Sequence, residues 1–337
     1  MKKSILLSYI ALLIAFVLPA LALDAAKPEP EQTASPPPAE PAEAAPSETP
    51  AAESLRLIEA EAAPKELSLI IDGQAVVTDM QDYLIGVVAA EMPASFHPEA
   101  LKAQAVAART YAIYTSKGGK HPQGQLCTDY SCCQAWSSDE KLRENWGQNY
   151  ESYAEKIRTA VEETEGEYLC YQGQAVFAAF HSSSAGLTEN SGALWAQLPY
   201  LVSVESPETA EHVPNFVSTV SCSPLDFRDT LLYAHPESDF TGDESTWIGS
   251  IQRDDSGRVD SAVLGGTQMK GTELRSLFSL RSTAFELEYT QGQFVFTVTG
   301  YGHGVGMSQY GANIMAQQGS GYREILSHYY PGTELAA

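Results

Sequence analysis

A proline that follows an apolar run constrains the first folded segment of this 337-residue chain. In the stretch YLIGVVAAEMP, Leu84, Val87 and Glu91 recur at helical spacing, which predicts that these side chains share one face of a helix. Pro93 disfavours helix at the residue before it, so the helix is expected to end near Glu91. Glu91 therefore lies in the last turn, on a face otherwise directed towards the core.

The predicted position of Glu91 favours the neutral form of its carboxyl group. The negative end of a helix dipole and partly dry surroundings both oppose ionisation, so both raise the pKa. A carboxylic acid that keeps its proton near neutral pH can act as a general acid. The alternative interpretation is structural: Glu91 is a helix-end carboxylate paired with Lys102 or Arg109, and such pairs also perturb pKa values.

A second helix is predicted from Pro98, through an alanine-rich run, to about Ser116, because proline is tolerated in a first helical turn. Lys102 and Arg109 are two turns apart in this helix and so lie on the same face. If that face lines the cleft that holds Glu91, the two side chains offer fixed positive charges to a polar substrate.

Residues 1–23 have the pattern of an export segment. Lys2 and Lys3 precede an apolar run that ends at Leu23 and nearly reaches the ~20 residues that a spanning helix needs. We expect an uncleaved membrane anchor with its amino end in the cytoplasm and the rest of the chain outside. The alternative is secretion after cleavage near Ala22, where small residues resemble a signal-peptidase site.

Residues 24–64 are rich in proline, alanine and glutamate and contain few large apolar side chains. Such a segment cannot bury enough surface to fold, so we expect a disordered, extended tether. The remaining residues, 65–337, are predicted to form the extracytoplasmic domain. The formal net charge of −23 excludes nucleic acids and anionic lipid surfaces as favoured partners, whereas a neutral glycan is unaffected.

Three of the five cysteines lie close together in the loop HPQGQLCTDYSCCQAW. Cys127, Cys132 and Cys133, with His121, make a four-ligand set of the kind that holds a structural zinc ion. Disulfide pairing is the alternative, since an exported protein meets oxidising conditions. The neighbours Cys132 and Cys133 pair poorly with each other, however, and five cysteines leave one over.

The rest of the chain alternates short strands, turns and helices, which predicts an α+β fold of hairpins, small sheets and several helices around a substrate cleft, as one large domain or two closely packed lobes. Hairpins are predicted at 67–78 and 167–180, strands at 258–264, 286–289 and 294–298, and helices at 150–165, 272–278, 308–318 and 322–330.

Two polar loops complete the candidate site. His181 and Ser182 begin the loop HSSSAGLTENSG, directly after a predicted strand. Nucleophilic catalysis by Ser182 or Ser183 with a histidine base is an alternative, but the absence of a G-x-S-x-G motif disfavours a serine hydrolase. Later, alternating glycines surround His303, and Gln309 and Tyr310 follow. This run lacks the lysine of a phosphate-binding loop, so its glycines serve either close packing or close approach to a ligand.

Four stretches of the chain closely resemble the stage II sporulation protein D and amidase-enhancer family. They are YLIGVVAAEMPASFHPEALKAQAVAARTYA, FHSSSAGLTENSGALW with PYLVSVESP, LGGTQMKGTELRSLFSLRSTAF, and GHGVGMSQYGANIMAQQGSGYREILSHYYPGTEL. The resemblance implies a lytic transglycosylase that cuts peptidoglycan glycan strands, preferring strands stripped of stem peptides, during septal wall remodelling and engulfment in sporulation. A non-catalytic, glycan-binding activator of a cell-wall amidase is the alternative, and an amidase and a membrane protein of the engulfment machinery are the implied partners.

The resemblance also implies roles for individual residues. It makes Glu91 the catalytic acid, Lys102 and Arg109 cationic substrate contacts, and the cysteine loop a structural zinc site. It places the remaining polar candidates in substrate-binding motifs without defining their separate roles; these are His181, Ser182, His303, Gln309 and Tyr310.

Overall fold

The computed structural model describes residues 55–118 and 120–337. Its helices are α1 (Met80–Glu91), α2 (Pro98–Gly118), α3 (Asp139–Trp146), α4 (Tyr150–Glu162), α5 (Pro224–Ala234), α6 (Gly271–Leu277), α7 (Gln309–Gln317) and α8 (Tyr322–Tyr329). The carboxylate of Asp79 caps α1 by accepting hydrogen bonds from the N–H groups of Gln81 and Asp82. Helix α1 ends at Glu91, as the sequence predicts.

Short strands form five small sheets. The strands are β1 (Leu57–Ile58), β2 (Glu66–Ile71), β3 (Gln74–Asp79), β4 (Leu126–Cys127), β5 (Tyr168–Tyr171), β6 (Gln174–Ala175), β7 (Phe180–His181), β8 (Val217–Cys222), β9 (Ile248–Arg253), β10 (Val259–Leu264), β11 (Thr267–Lys270), β12 (Phe285–Thr290), β13 (Gln293–Thr299), β14 (Met307–Ser308) and β15 (Glu334–Ala336). In the described residues the sheet orders are β1-β15-β5-β6, β3-β2-β4, β11-β10-β9, β12-β13-β8 and β14-β7. Helices interspersed with small sheets confirm the predicted α+β class.

The two largest hydrophobic cores define two lobes of the fold. In the first lobe, α2 is buried around most of its circumference and packs against α1, α4, α7 and α8. The second lobe, residues 217–299, packs α5 and α6 on two three-stranded sheets. At its centre the rings of Phe227 and Phe294 stack with centroids 3.9 Å apart, and Trp247 stacks on the other side of this pair.

The predicted tether boundary at residue 64 is wrong. Strand β1 lies inside the predicted tether, yet Leu57 pairs with Leu335 and Ile58 with Ala336 in a parallel ladder. The hydroxyl of Tyr168 also donates a hydrogen bond of 2.8 Å to the Glu61 carbonyl. The first core therefore holds the chain from at least Leu55 onwards. The proline-rich residues before it, and the predicted anchor or signal segment 1–23, lie outside the described residues.

The second predicted hairpin is also corrected. Strand β6 ends at Ala175, because two tight turns follow in which Ala178 N–H bonds Val176 O and Ala179 N–H bonds Phe177 O. The chain then enters β7, which pairs in parallel with β14 rather than with β5. Within residues 55–118 and 120–337, no helix is both long and apolar enough to cross a membrane.

Candidate active site

A cleft of about 670 Å³ holds most of the predicted polar residues together. Its walls come from the end of α1, the cysteine loop, β7 and the segments around Trp195, Arg275 and His303. The lining residues are Ala90, Glu91, Tyr111, Lys120, Tyr130, Ser131, Cys132, Cys133, Gln134, Ala135, Phe177, Ala179, Phe180, His181, Ser182, Trp195, Arg275, Tyr301, Gly302, His303 and Gln309. The cleft has the size and mixed polarity typical of a substrate site.

Glu91 is the last residue of α1 and lines the cleft. Burial raises the pKa of its carboxyl group. The carboxyl group also accepts a 2.7 Å hydrogen bond from Ala135 N–H, and this bond opposes the rise in pKa only in part. The alternative in which Glu91 pairs with Lys102 or Arg109 is wrong, because neither cation contacts it among the described residues. The geometry therefore fits a general acid.

Glu91 is the only carboxyl group that lines the cleft within the described part of the chain. Two cationic side chains, Lys120 and Arg275, share the lining with it. Lys120 Nζ donates to the hydroxyl of Tyr111 at 3.1 Å and to the carbonyl of Cys132. The cleft is thus locally positive although the whole chain is strongly acidic.

The structure brings His181 and His303 together in the cleft, with ring centroids 5.8 Å apart. Burial and the nearby positive charges lower the pKa of both imidazoles, that of His303 to about 4, so both are neutral at pH 7. His303 Nδ1 accepts a hydrogen bond of 3.1 Å from Val305 N–H, which leaves the proton of His303 on Nε2. A backbone hydrogen bond with Phe180 opposes this fall in the pKa in part, so backbone groups hold the neutral imidazole of His303 in the cleft wall.

A serine nucleophile is not supported by the contacts of His181. Its Nδ1 faces the carbonyl of Val305 at 3.2 Å and so carries the proton, while Nε2 accepts from the hydroxyl of Ser184 at 2.9 Å. Ser184 is fully buried and does not line the cleft. Ser182 does line it, but His181 has no nitrogen left to act as a base for that hydroxyl.

Exposed aromatic rings lie along the cleft. The side chains of Tyr130, Trp195 and Tyr301 are 81%, 44% and 47% exposed. The Trp195 ring is supported from below by edge contacts with Phe177 and His303, at centroid distances of 5.3 and 5.2 Å. A supported, half-exposed indole offers a flat apolar surface with a polar edge, which suits the faces of sugar rings.

The alternating glycines around His303 serve close packing. A side chain on Gly306 would overlap the carbonyl oxygen of Ala179, and one on Gly302 would overlap Cβ of His181. Both glycines also have positive φ, of +71° and +115°, which other residues rarely adopt. The glycine run thus lets this segment lie directly against β7 and brings His303 into the cleft beside His181.

Two predicted cationic contacts, Lys102 and Arg109, do not line the cleft. Arg109 is 1% exposed, and its Nη1 donates to the Glu167 carbonyl at 2.9 Å while its Nη2 lies 3.4 Å from the Val161 carbonyl. Lys102 Nζ forms ion pairs with Glu99 at 2.7 Å and with Glu163 at 2.6 Å. Because α2 is enclosed by other elements, the face that carries these cations meets protein instead of the cleft.

Of the two candidate residues at the start of α7, Gln309 and Tyr310, only the first lines the cleft. Gln309 lines the cleft, with its Nε2 3.5 Å from Oε1 of Gln104. Tyr310 does not line the cleft; its ring packs edge-on against Phe96, with centroids 4.9 Å apart. Its N–H donates to the Ser182 carbonyl at 3.0 Å. Tyr310 therefore packs behind the cleft wall and does not form part of the cleft surface.

The cysteine loop folds into a compact cluster. The ligand atoms of His121, Cys127, Cys132 and Cys133 all lie within 4.8 Å of one another. Tetrahedral ligands of zinc are about 3.3–3.8 Å apart, so the donor set fits a zinc ion after a small contraction. The described residues include all five cysteines, and none of them forms a disulfide bond.

The cleft residues that the sequence reasoning missed include Lys120, Trp195 and Arg275. Lys120 directly precedes His121, and its position beside the candidate metal ligands was an available signal. Trp195 and Arg275 each lie within a stretch that resembles the family, but single-sequence patterns give no reason to select either one. Packing between the lobes brings Arg275 to the cleft, and contacts with Phe177 and His303 hold Trp195 there.

The fold and site define an α+β protein with one half-buried carboxyl group in a polar, aromatic cleft beside a cysteine–histidine cluster. The sequence model of a family described as "Stage II sporulation protein" matches residues 73–171. Stage II sporulation protein D of Bacillus subtilis (strain 168) is 39% identical over 262 residues, which cover 76% of this chain and 74% of that protein. The chain belongs to the stage II sporulation protein D family.

Two further relatives agree with this assignment. Stage II sporulation protein D of Bacillus amyloliquefaciens is 38% identical over 261 residues, covering 76% of this chain and 74% of that protein. The amidase enhancer of Bacillus subtilis (strain 168) is 30% identical over 305 residues, covering 75% of this chain and 40% of that protein. The family resemblance seen in the sequence motifs is confirmed.

Proposed function

We propose that this protein is a lytic transglycosylase, which cleaves the bond between MurNAc and GlcNAc in peptidoglycan glycan strands. The observation that carries the proposal is the single carboxyl group of the cleft, Glu91, whose pKa burial raises. Hydrolytic glycosidases typically use two carboxyl groups. A lytic transglycosylase needs one, because the C6 hydroxyl of the substrate replaces water as the nucleophile.

In the proposed mechanism Glu91 acts first as an acid and then as a base. Its Oε1 accepts the Ala135 N–H bond, so the proton of the neutral acid resides on Oε2. This proton is transferred to the glycosidic oxygen as the bond from C1 of MurNAc to that oxygen breaks. The resulting carboxylate then takes the proton of the O6 hydroxyl while O6 bonds to C1. The product is a 1,6-anhydroMurNAc end, no water is consumed, and Glu91 is again neutral.

The other cleft residues support a glycan substrate. The supported ring of Trp195 provides a stacking surface for a sugar. The amide of Gln309 provides a donor for hydroxyl and acetamido oxygens, and the neutral imidazole of His303 lines the same cleft. Ser182 offers a hydroxyl on the same wall, and His181 fixes that wall through its bonds to Val305 and Ser184.

A structural zinc ion is part of the proposal. His121, Cys127, Cys132 and Cys133 form a closed four-ligand set, and closed sets of this type are structural rather than catalytic. The ion would cross-link the loop that carries Ala135 to the end of strand β4. All steps of the reaction remain with Glu91 and the substrate.

The cellular role is proposed from the relatives and the amino terminus. Two relatives are named stage II sporulation protein D and a third is named amidase enhancer. We infer a role in remodelling the septal wall and in engulfment during sporulation, together with a cell-wall amidase and a membrane protein of the engulfment machinery. The export pattern of residues 1–23 supports a membrane anchor with the folded part outside the cell.

The second candidate function is glycan binding without catalysis, in which the protein activates an amidase. The name of the amidase-enhancer relative supports it. Both functions use the aromatic and polar walls of the cleft, but only catalysis needs an acid whose pKa is raised. The raised pKa of the half-buried Glu91 therefore favours the enzyme.

The test is product analysis by mass spectrometry. Purified glycan strands without stem peptides are incubated with the full-length protein or with its Glu91→Gln variant. The proposal expects 1,6-anhydroMurNAc ends with the wild-type protein and almost none with the variant. Reducing MurNAc ends would instead indicate hydrolysis. Glycan binding without any cleavage would support the amidase-activating function.

A further inference from the structure

A buried carboxylate, Glu208, lies behind the cleft wall that carries His181 and Ser182. Its side chain is 3% exposed and does not line the cleft. Among the described residues no cation forms an ion pair with it. The buried cation whose charge it faces, Arg258, pairs instead with Glu189 at 3.8 Å, and in that same part of the chain no atom forms a hydrogen bond with the guanidinium nitrogens of Arg258. Neutral hydrogen-bond donors must therefore stabilise the buried carboxylate of Glu208.

Three neutral donors surround this carboxylate. Oε1 of Glu208 accepts the backbone N–H of Ser184 at 2.5 Å and the hydroxyl of Ser308 at 2.5 Å, and Oε2 accepts the hydroxyl of Ser206 at 2.6 Å. The hydroxyl oxygen of Ser206 also lies 2.8 Å from that of Tyr329. Because Ser206 gives its one proton to Glu208, Tyr329 is the donor in this second bond. All of these protons thus point towards Glu208, as a buried carboxylate requires.

The partners of Glu208 belong to the two segments that build this wall of the cleft. The hydroxyl of Ser184 donates to Nε2 of His181 at 2.9 Å. Ser308 is the N-cap of helix α7, directly before Gln309, which lines the cleft, and it pairs with His181 in the ladder of β7 and β14. Glu208 therefore bonds at the same time to the residue that orients His181 and to the residue that precedes Gln309.

Helix α7 has a glycine at the point where it meets this network. A side chain on Gly311 would overlap the hydroxyl groups of Tyr329 and Ser206 and the carboxylate of Glu208. Glycine within a helix is less favourable than alanine, so the space that the network needs explains its presence here. The packing of α7 is thus built around Glu208 and its donors.

We propose that Glu208 is a positioning residue of the cleft: through Ser184 and Ser308 it sets the orientation of His181 and the place of Gln309, and thereby the affinity of the cleft for glycan. The proposal rests on the proposed function for its ligand, a glycan strand, and not for the cleavage step. Because Glu208 is enclosed behind the wall and touches no ligand, it acts only through these neighbours.

The network indicates what each substitution would change. In Glu208→Gln an amide NH₂ group replaces one carboxylate oxygen, so it faces a donor and at least one of the three bonds is lost. Glu208→Asp keeps two acceptor oxygens but withdraws them by one methylene group, so it should keep part of the network. Ser184→Ala removes only the bond to His181 and leaves the backbone N–H that bonds Glu208, which tests the connection without changing the carboxylate.

The experiment has two readouts in the full-length protein. The first is the nitrogen NMR spectrum of the His181 imidazole, which reports the protonation and hydrogen bonding of both ring nitrogens without any ligand. The second is the affinity for denuded glycan strands, measured by calorimetry in a Glu91→Gln background, with KM and kcat measured when Glu91 is present. The test variants are Glu208→Gln, Glu208→Asp and Ser184→Ala. Glu211→Gln is the matched control, because Glu211 is an exposed glutamate of the same segment.

In the wild-type protein Nδ1 of His181 should carry the proton and Nε2 should accept a hydrogen bond. Glu208→Gln and Ser184→Ala should both weaken the Nε2 bond, Glu208→Asp should weaken it less, and Glu211→Gln should leave it unchanged. Glycan affinity should fall about 3- to 10-fold in Glu208→Gln, as expected for the loss of about one hydrogen bond. KM should rise by the same factor at unchanged kcat, because the wall contacts the glycan equally before and during the reaction.

A purely structural role of Glu208 predicts a different result. Substitution would then reduce the fraction of active protein, so the apparent kcat would fall while KM and the His181 spectrum of the folded protein stayed unchanged. That pattern, or unchanged affinity in a cooperatively folded Glu208→Gln protein, would overturn the proposal. If Glu208→Gln does not fold, the other two variants decide: an unchanged His181 spectrum and unchanged affinity in both Glu208→Asp and Ser184→Ala would overturn it.

The two proposals fail in different ways. Anhydro products formed with the same KM by the wild-type protein and all folded variants would overturn the role of Glu208 and leave the transglycosylase intact. A His181 spectrum and a glycan affinity that both depend on Glu208, without any anhydro product, would support Glu208 and overturn the enzyme. If the wild-type protein binds no glycan, both are overturned.

Discussion

The backbone N–H of Ala135 donates a 2.7 Å hydrogen bond to Oε1 of Glu91. Ala135 lies two residues after Cys133, a member of the cysteine–histidine cluster. This bond joins the end of helix α1 to the loop that carries the cluster. The position of the proposed acid is therefore coupled to the folding of that loop, even though no cluster atom takes part in the chemistry.

The first prediction concerns the acid itself. Glu91→Gln keeps the size of the side chain and an oxygen that can accept the Ala135 bond, but it removes the transferable proton. Cleavage of denuded glycan should fall by about 10²–10⁴-fold, the usual contribution of general acid–base catalysis. Glycan affinity, measured by calorimetry, should stay close to that of the wild-type protein.

Glu140→Gln is the control for this change. Glu140 is an exposed glutamate of helix α3 and does not line the cleft. It should cleave at the wild-type rate. If Glu91→Gln also cleaves at close to that rate, the assignment of Glu91 as the acid is wrong.

The second prediction is the pH dependence of cleavage. The reaction begins with the neutral acid, so kcat/KM should be constant at low pH and fall as pH rises through the pKa of Glu91. Because burial raises this pKa, the fall should lie above the ~4.3 of an ordinary glutamate. The profile is measured with denuded glycan over the range in which the protein stays folded. A fall centred near pH 4.3 would mean that Glu91 behaves as a solvated carboxylate and would contradict the proposed acid.

Local sequence signals were sufficient to place Glu91 at the end of a helix and to bring the four residues of the cysteine–histidine cluster together. The spacing of Leu84, Val87 and Glu91 and the stop at Pro93 fix the end of one helix, and both signals act within a few residues. The cluster needs only short spacings along one loop. Neither inference depends on how distant parts of the chain pack.

The cationic residues could not be predicted in the same way. Periodicity correctly places Lys102 and Arg109 on one face of α2, but it does not say what that face meets. Helix α2 is alanine-rich and buried on most sides, so the sequence carries no contrast between a core face and a cleft face. Arg275 reaches the cleft from the second lobe through packing between lobes, which no local pattern encodes.

The third prediction separates structural from substrate-binding cations. Arg109→Met leaves the buried carbonyls of Glu167 and Val161 without their donor, so the free energy of unfolding should fall by about 2–4 kcal/mol. Lys102→Met removes partly exposed ion pairs and should cost about 1 kcal/mol or less. Urea unfolding gives both values. The KM for glycan, measured on folded protein, should not change in either variant, and a rise of about tenfold or more would restore the role in substrate binding.

The fourth prediction tests the start of the folded domain. A chain that begins at Lys65 lacks strand β1 and its pairing with β15, whereas a chain that begins at Leu55 keeps both. The shorter chain should melt about 2–8 °C lower, as expected for a loss of one or two kcal/mol in a domain of this size. Calorimetric scans of the two proteins give the difference. Equal melting temperatures would show that residues 55–64 add no stability and would restore the boundary at residue 64.

The last prediction concerns the metal. One zinc ion per chain should copurify with the protein, bound by His121, Cys127, Cys132 and Cys133, because such closed sites bind zinc by roughly 10 kcal/mol or more. Cys127→Ser should lose the ion and lower the melting temperature. Cys222→Ser is the matched control, since this thiol lies in the second lobe outside the cluster and its loss should leave the zinc content unchanged.

Activity provides the second readout of the metal site. If the ion only holds the loop that positions Ala135 against Glu91, cleavage by Cys127→Ser should fall in proportion to the loss of folded protein, and the glycan products should be unchanged. Elemental analysis decides the occupancy. Less than about 0.2 zinc per chain, in protein never exposed to a chelator, would exclude a site of this strength. A change in the number of free thiols on reduction would then favour disulfide pairing of the same cysteines.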